Sequence, residues 1–99
     1  MIGSPLAAVP PALVPLLGEV CDALRQTLAD ARSALARSDA QALRESAHAL
    51  KGAAMRFGLP ALADAAARAE DAALRGNLEG MEAILGEFEK GLDELAASI

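Results

Sequence analysis

Residues 48–58 read His48-Ala49-Leu50-Lys51-Gly52-Ala53-Ala54-Met55-Arg56-Phe57-Gly58. Apolar residues return in this run every three or four positions, which predicts an amphipathic helix that ends at the last glycine. His48 is the only histidine in the sequence. Because imidazole is the side chain that changes charge near neutral pH without perturbation, His48 is the first candidate for a reactive group.

This helix should have a core side and a solvent side. The core stripe consists of Leu43, Ala47, Leu50, Ala54 and Phe57. At about 100° per residue, His48 lies roughly 140° from that stripe, so its ring should face solvent. Lys51 and Gly52 follow three and four residues later, which places both of them one turn away on the same side.

The neighbours of His48 suit a phosphoryl carrier. Lys51 can donate to a phosphoryl group on the imidazole and offset its charge. Gly52 weakens the helix, so it needs a reason: it either allows tight helix packing or lets a partner approach the bare backbone. Met55 is predicted to be an exposed, adaptable apolar contact on the same face.

The remaining sequence predicts three more helices. The first runs from about Pro15 to Arg37, and Ser38 is the predicted N-cap of the second, with Gln41 completing a capping box. Pro60 fits the first turn of the third helix, which Gly76 ends. Asn77 is the predicted N-cap of the fourth.

No strand pattern is present, and the connections between the helices are only a few residues long. Short connections make consecutive helices antiparallel neighbours, so the predicted fold is all-α, an antiparallel up-down four-helix bundle over residues 16–99. Residues 1–15 are rich in proline. They are predicted to form a short helical or extended cap segment, since proline is tolerated mainly outside helices or in a first turn.

Composition excludes several classes of function. Ninety-nine residues make one domain, and the net charge of −5 argues against nucleic acid as a partner. No apolar run is long enough to cross a membrane, and the N-terminus lacks the basic start of a signal peptide. The lone Cys21 fits a cytoplasmic protein, and His48 with Cys21 cannot complete a usual metal site, so we expect no metal and no cofactor.

The motif His48-x-Leu50-Lys51-Gly52-Ala53-Ala54-x-x-Phe57-Gly58 resembles the signature of histidine-containing phosphotransfer (HPt) domains of bacterial multistep phosphorelays. The resemblance covers roughly residues 20–99 and includes Leu35, Asp39, Leu62 and Glu70, which stand at positions where the family has the same residues. The departures are Ala53, where serine is frequent, and Ala69, where the family has a larger apolar residue. Neither departure affects the phosphoryl chemistry.

The resemblance implies a mechanism. A receiver domain that carries a phosphoaspartate docks around His48, whose Nε2 takes the phosphoryl group and passes it to the aspartate of a second receiver. The expected partners are therefore receiver domains of response regulators and of hybrid histidine kinases, and magnesium is expected in the receiver. Lys51 would stabilise the phosphoryl charge, and Arg44, Gly52, Met55 and Arg56 would contact the receiver.

Other functions are weighed against this one. We expect no autokinase activity, because the sequence lacks a glycine-rich phosphate loop with its lysine and any kinase motif set. A docking adaptor or phosphate sink of the same fold remains an alternative, as does a purely structural helical bundle. A hydrolytic enzyme lacks the residues for a triad. Met1 and the length favour a free-standing protein, which we expect to be a monomer.

Overall fold

The computed structural model describes residues 8–99, and every regular element in that range is helical. A 3-10 helix spans Pro11–Leu16 and leads into α1 (Leu17–Ala36). It is followed by α2 (Ala40–Arg56), α3 (Pro60–Leu74) and α4 (Met81–Ala97). This confirms the predicted all-α fold of four helices, although α1 begins two residues later than the sequence indicated.

The four α-helices form a ring. In this ring α1 and α3 each pack against both α2 and α4. Ion pairs between α1 and α4 show their relative direction: Arg25 pairs with Asp93, and Arg32, two turns later, pairs with Glu82 and Glu89. The residue number of the acidic partner on α4 falls as the residue number of the arginine on α1 rises. That pattern fits the antiparallel up-down arrangement predicted from the short connections.

Leucines from several helices and an alanine-rich α3 fill the core. Its largest fully buried side chains are Leu17, Leu43, Leu50, Met81, Leu85, Phe88, Leu92 and Leu95. From α3 the buried residues are Leu62, Ala65, Ala66, Ala69 and Ala73. Since alanine fills so little space, α3 lies close to its neighbours. Phe57, predicted on the core stripe of α2, is only half-buried at the end of that helix.

The first three α-helices end in the same way. After α1, α2 and α3 the chain turns through a left-handed residue, which is Ser38, Gly58 and Gly76 in turn. In each turn the next backbone N–H returns to a carbonyl of the last helical turn, as Leu59 does to Ala54 at 2.9 Å. This is the Schellman motif, which satisfies carbonyls that the helix leaves without a partner.

Two predicted N-caps are wrong. Ser38 is the left-handed turn residue, and Asp39 caps α2 by accepting a hydrogen bond from the Ala42 N–H at 3.0 Å. Gln41 donates to Glu45 instead of completing a capping box. Asn77 uses its N–H to close the end of α3, so α4 begins only after Gly80, which is its N-cap.

The segment before the 3-10 helix packs over the turn between α2 and α3. Val9 is buried in the core. A Cβ added at Gly58 would lie 2.5 Å from the carbonyl oxygen of Ala8, so the close approach requires glycine at this position. The part of the predicted cap segment in residues 1–7 lies outside the described residues.

Candidate functional site

His48 lies in the middle of α2, and the packing of that helix sets the direction of its side chain. Ala47, Leu50 and Ala54 are completely buried. They hold the opposite side of the helix against the core, so His48 projects outward and its side chain is 70% exposed. The predicted solvent exposure of His48 is therefore confirmed.

A carboxylate from the neighbouring helix contacts the ring. Glu70 of α3 places Oε2 2.5 Å from Nδ1 of His48, and its Oε1 accepts a hydrogen bond of 2.5 Å from Nζ of Lys51. The Glu70 side chain is 18% exposed and that of Lys51 is 29% exposed. Glu70 thus joins His48 and Lys51 into one cluster, which we call the His48–Glu70–Lys51 cluster.

The contact with Glu70 distinguishes the two ring nitrogens. An ionised carboxylate can only accept hydrogen bonds, so the proton of a neutral imidazole is assigned to Nδ1. Nε2 then carries the lone pair. Within residues 8–99, Nε2 has no hydrogen-bond partner, which leaves it available to an incoming group.

Glu70 is ionised at neutral pH. The hydrogen bond from Lys51 holds the pKa of the Glu70 carboxyl below its usual value, although partial burial opposes this and the His48 hydrogen bond adds to it. A fixed negative charge therefore lies behind the ring, and the positive charge of Lys51 lies beside it.

Gly52 lies one turn beyond His48, in open space. A Cβ added at this position would meet no other group within 4 Å. Tight packing within the domain therefore does not require glycine here.

The other predicted contact residues surround His48 on the outside of α2. The side chain of Met55 is 65% exposed. Arg44 and Arg56 are exposed, and neither forms a salt bridge with another residue in the part of the chain that the structure describes. This face therefore carries an exposed apolar side chain and two cations without a salt-bridge partner among residues 8–99.

A groove of about 540 Å³ opens between α2 and α3 beside the cluster. Its lining includes Lys51, Met55, Leu59, Pro60, Ala63 and Ala67. Sequence reasoning missed this groove, because small alanines facing the helix–helix boundary leave space that a single helical wheel does not show.

Sequence reasoning also missed the position of Glu70. The family resemblance marked this residue but gave it no role. A signal was present, however: His48 and Glu70 are 22 residues apart and equally distant from Leu59, the N-cap of α3 in the connection between the two helices. Residues at equal distances from the turn of an antiparallel helix pair lie opposite each other, so the spacing predicts the contact.

The cluster has too few ligands for a metal. Among residues 8–99, no group of three or more His, Cys, Asp or Glu side chains could hold a metal ion.

None of the helices in that range is both long and apolar enough to cross a membrane.

Comparison with protein families supports the motif and the fold. The sequence model of the Hpt domain matches residues 15–98, nearly the whole chain. The chain belongs to the Hpt domain family. Comparison with curated proteins and with solved structures gives no significant match.

Membership of the family gives this Hpt domain a role in phosphotransfer within the phosphorelays of two-component signalling. Hpt domains interact with receiver domains in these phosphorelays. The surface of α2 and α3 in this Hpt domain carries the His48–Glu70–Lys51 cluster.

Proposed function

We propose that His48 accepts a phosphoryl group from the phosphoaspartate of one receiver domain and passes it to the aspartate of another. One observation carries this proposal: an exposed imidazole whose Nδ1 is held at 2.5 Å by Glu70, with Nε2 free of partners among the described residues. A neutral ring held in this way presents a lone pair at a defined position, which an in-line displacement requires.

The reaction needs little from the protein beyond position and charge. Nε2 attacks phosphorus, the N–P bond forms, and the P–O bond to the donor aspartate breaks with its electron pair left on the carboxylate. Charge on the three phosphoryl oxygens must be offset during this transfer. Lys51 is within one turn of His48, and its side chain is partly exposed, so it can donate to those oxygens.

We further propose that the receiver supplies the magnesium ion. Carboxylate and phosphate oxygens are the ligands that magnesium prefers. Near His48 this Hpt domain offers Glu70, and both oxygens of Glu70 are already engaged by His48 and Lys51. The residues around the site therefore bind and orient the phosphoryl group without holding a cation.

The receiver would dock on the face around His48. We propose contacts with Arg44, Gly52, Met55 and Arg56, because this face combines bare backbone, an exposed thioether and two arginines without salt-bridge partners in the described part of the chain.

The free thiol of Cys21 fits a reducing compartment. We therefore propose that the protein is located in the cytoplasm, and we further propose that it is a monomer.

A transfer assay tests this function. The protein is incubated with a phosphorylated receiver domain, and the label is followed by intact mass, with the His48→Gln variant as control. We expect one acid-labile, base-stable phosphoryl group that is absent from the variant and that moves to a second receiver. A label that never leaves His48 would indicate a phosphate sink, and no label with any of a broad set of receivers would favour a docking adaptor.

A further inference from the structure

The sulfur-containing side chains of residues 8–99 differ in their access to solvent. Met81 is completely buried, and Cys21 is buried in the same core. Burial also raises the pKa of the Cys21 thiol, so little of it is present as the reactive thiolate. Met55, in contrast, is 65% exposed. A dissolved oxidant that attacks sulfur therefore reaches Met55 first.

Met55 lies on the same side of α2 as His48. It follows His48 by seven residues, which at about 100° per residue leaves the two side chains within about 20° of one direction. At about 1.5 Å per residue, Met55 is about 10 Å further along the helix axis. A specific interface buries about 800 Å² on each partner, a patch about 30 Å across. A receiver that brings its aspartate to Nε2 of His48 therefore also covers Met55.

The thioether of Met55 borders the groove between α2 and α3, whose lining includes Leu59 and Ala63. A flexible thioether suits such a surface, because it adapts its shape to an apolar partner. A sulfoxide is polar and costs free energy when it is buried without a hydrogen-bond donor. Lys51, which also lines the groove, already donates to Glu70. Oxidation of Met55 therefore places an unpaired acceptor where the receiver docks.

We propose that Met55 is a site of oxidation by hydrogen peroxide and that its sulfoxide weakens docking of the receiver. This inference rests on the proposed function, because it concerns regulation of the same surface. A lone pair of the Met55 sulfur attacks one oxygen of the peroxide, the S–O bond forms and the O–O bond breaks. The proton of the transferred hydroxyl passes to the departing oxygen, which leaves as water. The sulfur is oxidised, the peroxide is reduced, and His48 is unchanged.

Oxidation of the isolated protein tests the inference. The protein is treated with hydrogen peroxide, the peroxide is removed, and peptide mass mapping locates the added oxygen. An untreated receiver is then titrated calorimetrically. We expect oxygen on Met55 well before Met81 or Cys21, and receiver binding about tenfold weaker, which corresponds to one unpaired polar group buried at an interface. Methionine sulfoxide reductases should restore the binding.

The Met55→Leu variant is the matched control, because it retains Met1, Cys21 and Met81. Its affinity for the receiver, whatever the starting value, should be the same before and after peroxide treatment. An equal loss of binding in this variant would overturn the inference, since the damage would then lie elsewhere. Unchanged binding by the unmodified sequence after Met55 has been oxidised would overturn it as well.

The lifetime of phosphohistidine separates docking from phosphoryl chemistry. The protein is phosphorylated, the receiver is removed, and hydrolysis is followed with and without peroxide treatment. We expect equal rates, because Met55 lies two turns from His48, and faster hydrolysis after oxidation would contradict an effect on docking alone. Absence of phosphohistidine from the untreated protein would overturn the proposed function, whereas equal receiver binding before and after oxidation would overturn this inference and leave that function intact.

Discussion

The two long faces of the bundle use their charged residues in opposite ways. On the face formed by α1 and α4, Arg25 and Arg32 pair with acidic residues of the facing helix at 2.9–3.1 Å. On the face formed by α2 and α3, Arg44 and Arg56 form no salt bridge within residues 8–99. The His48–Glu70–Lys51 cluster joins these two helices and includes the reactive candidate.

The two faces can also be compared through a glycine on each of them. Gly52 of α2 and Gly86 of α4 both lie inside helices, and a Cβ added at either would meet nothing within 4 Å. Only Gly52 lies beside His48. Charge pairs thus link α1 and α4, whereas Arg44 and Arg56 on the α2–α3 face form no salt bridge within residues 8–99. Position relative to His48 should therefore decide the effect of otherwise similar substitutions.

Loss of the imidazole should have the largest effect. His48→Gln is expected to abolish phosphorylation and to change the free energy of unfolding by no more than about 0.5 kcal/mol, because the side chain is exposed. Intact mass after incubation with a phosphorylated receiver, and urea denaturation, would measure the two quantities. A large loss of helicity in this variant would contradict the surface position of His48.

Removal of the Lys51 ammonium group beside the ring should have the second largest effect. Lys51→Ala is expected to slow phosphoryl transfer about tenfold or more without abolishing it, because one donor to the developing charge is lost. Rapid-quench kinetics with a phosphorylated receiver would measure the rate. If both the rate and the lifetime of phosphohistidine were unchanged, Lys51 would serve only to hold Glu70.

Gly52 and Gly86 offer a matched pair of sites for testing which surface binds the receiver. Gly52→Gln and Gly86→Gln should each stabilise the fold by about 0.5–1 kcal/mol, since both replace glycine in a helix with open space around it. Only Gly52→Gln should weaken binding of a cognate receiver, by about tenfold, because its side chain would occupy the approach surface. Calorimetric titration and thermal denaturation would separate the effects, and equal binding by both variants would remove Gly52 from the interface.

Glu70 should make stability depend on pH. Since Lys51 holds the pKa of the Glu70 carboxyl below its usual value, the resulting stability is present above that usual value, about 4.3. It is lost as the pH falls through the lower native pKa. The difference in unfolding free energy between the unmodified protein and Glu70→Gln should therefore shrink as the pH is lowered from 7 into this range. A constant difference in urea titrations would argue against the pairing.

The ion pairs of the α1–α4 face should matter least. Arg32→Ala is expected to cost about 1 kcal/mol or less, because pairs at the surface are offset by solvation and side-chain entropy. Transfer rates should not change. Denaturation at low and high salt would measure the contribution, and a reduced transfer rate would show that the two faces are coupled.

Most of the fold could be predicted from the sequence because it depends on periodicity. The stripe from Leu43 to Ala54 gives both the buried side of α2 and the exposed position of His48. The ends of helices were less predictable. Ser38 and Asn77 are both favourable N-cap residues, but the preceding helix uses them to close its own C-terminal end. Local preference does not say which of two adjoining helices a residue serves.

The site could be predicted only in part. The sequence places His48 and Lys51 on one helix, where their separation follows from helical geometry alone. The contact with Glu70 and the groove between α2 and α3 depend on how closely two helices approach. That distance is set by the packing of several alanines, and no single-helix pattern contains it.

The buried alanines of α3 have a consequence for inheritance and selection. Ala69 and Ala73 are buried in α3 and carry no chemistry, yet their small volume lets α3, and with it Glu70, pack closely against the neighbouring helices. A genetic screen for altered signalling output should return alleles with larger residues at these positions as well as alleles at His48. The strength of a signal can thus vary through changes of a few methyl groups in the core, while every reactive residue is preserved.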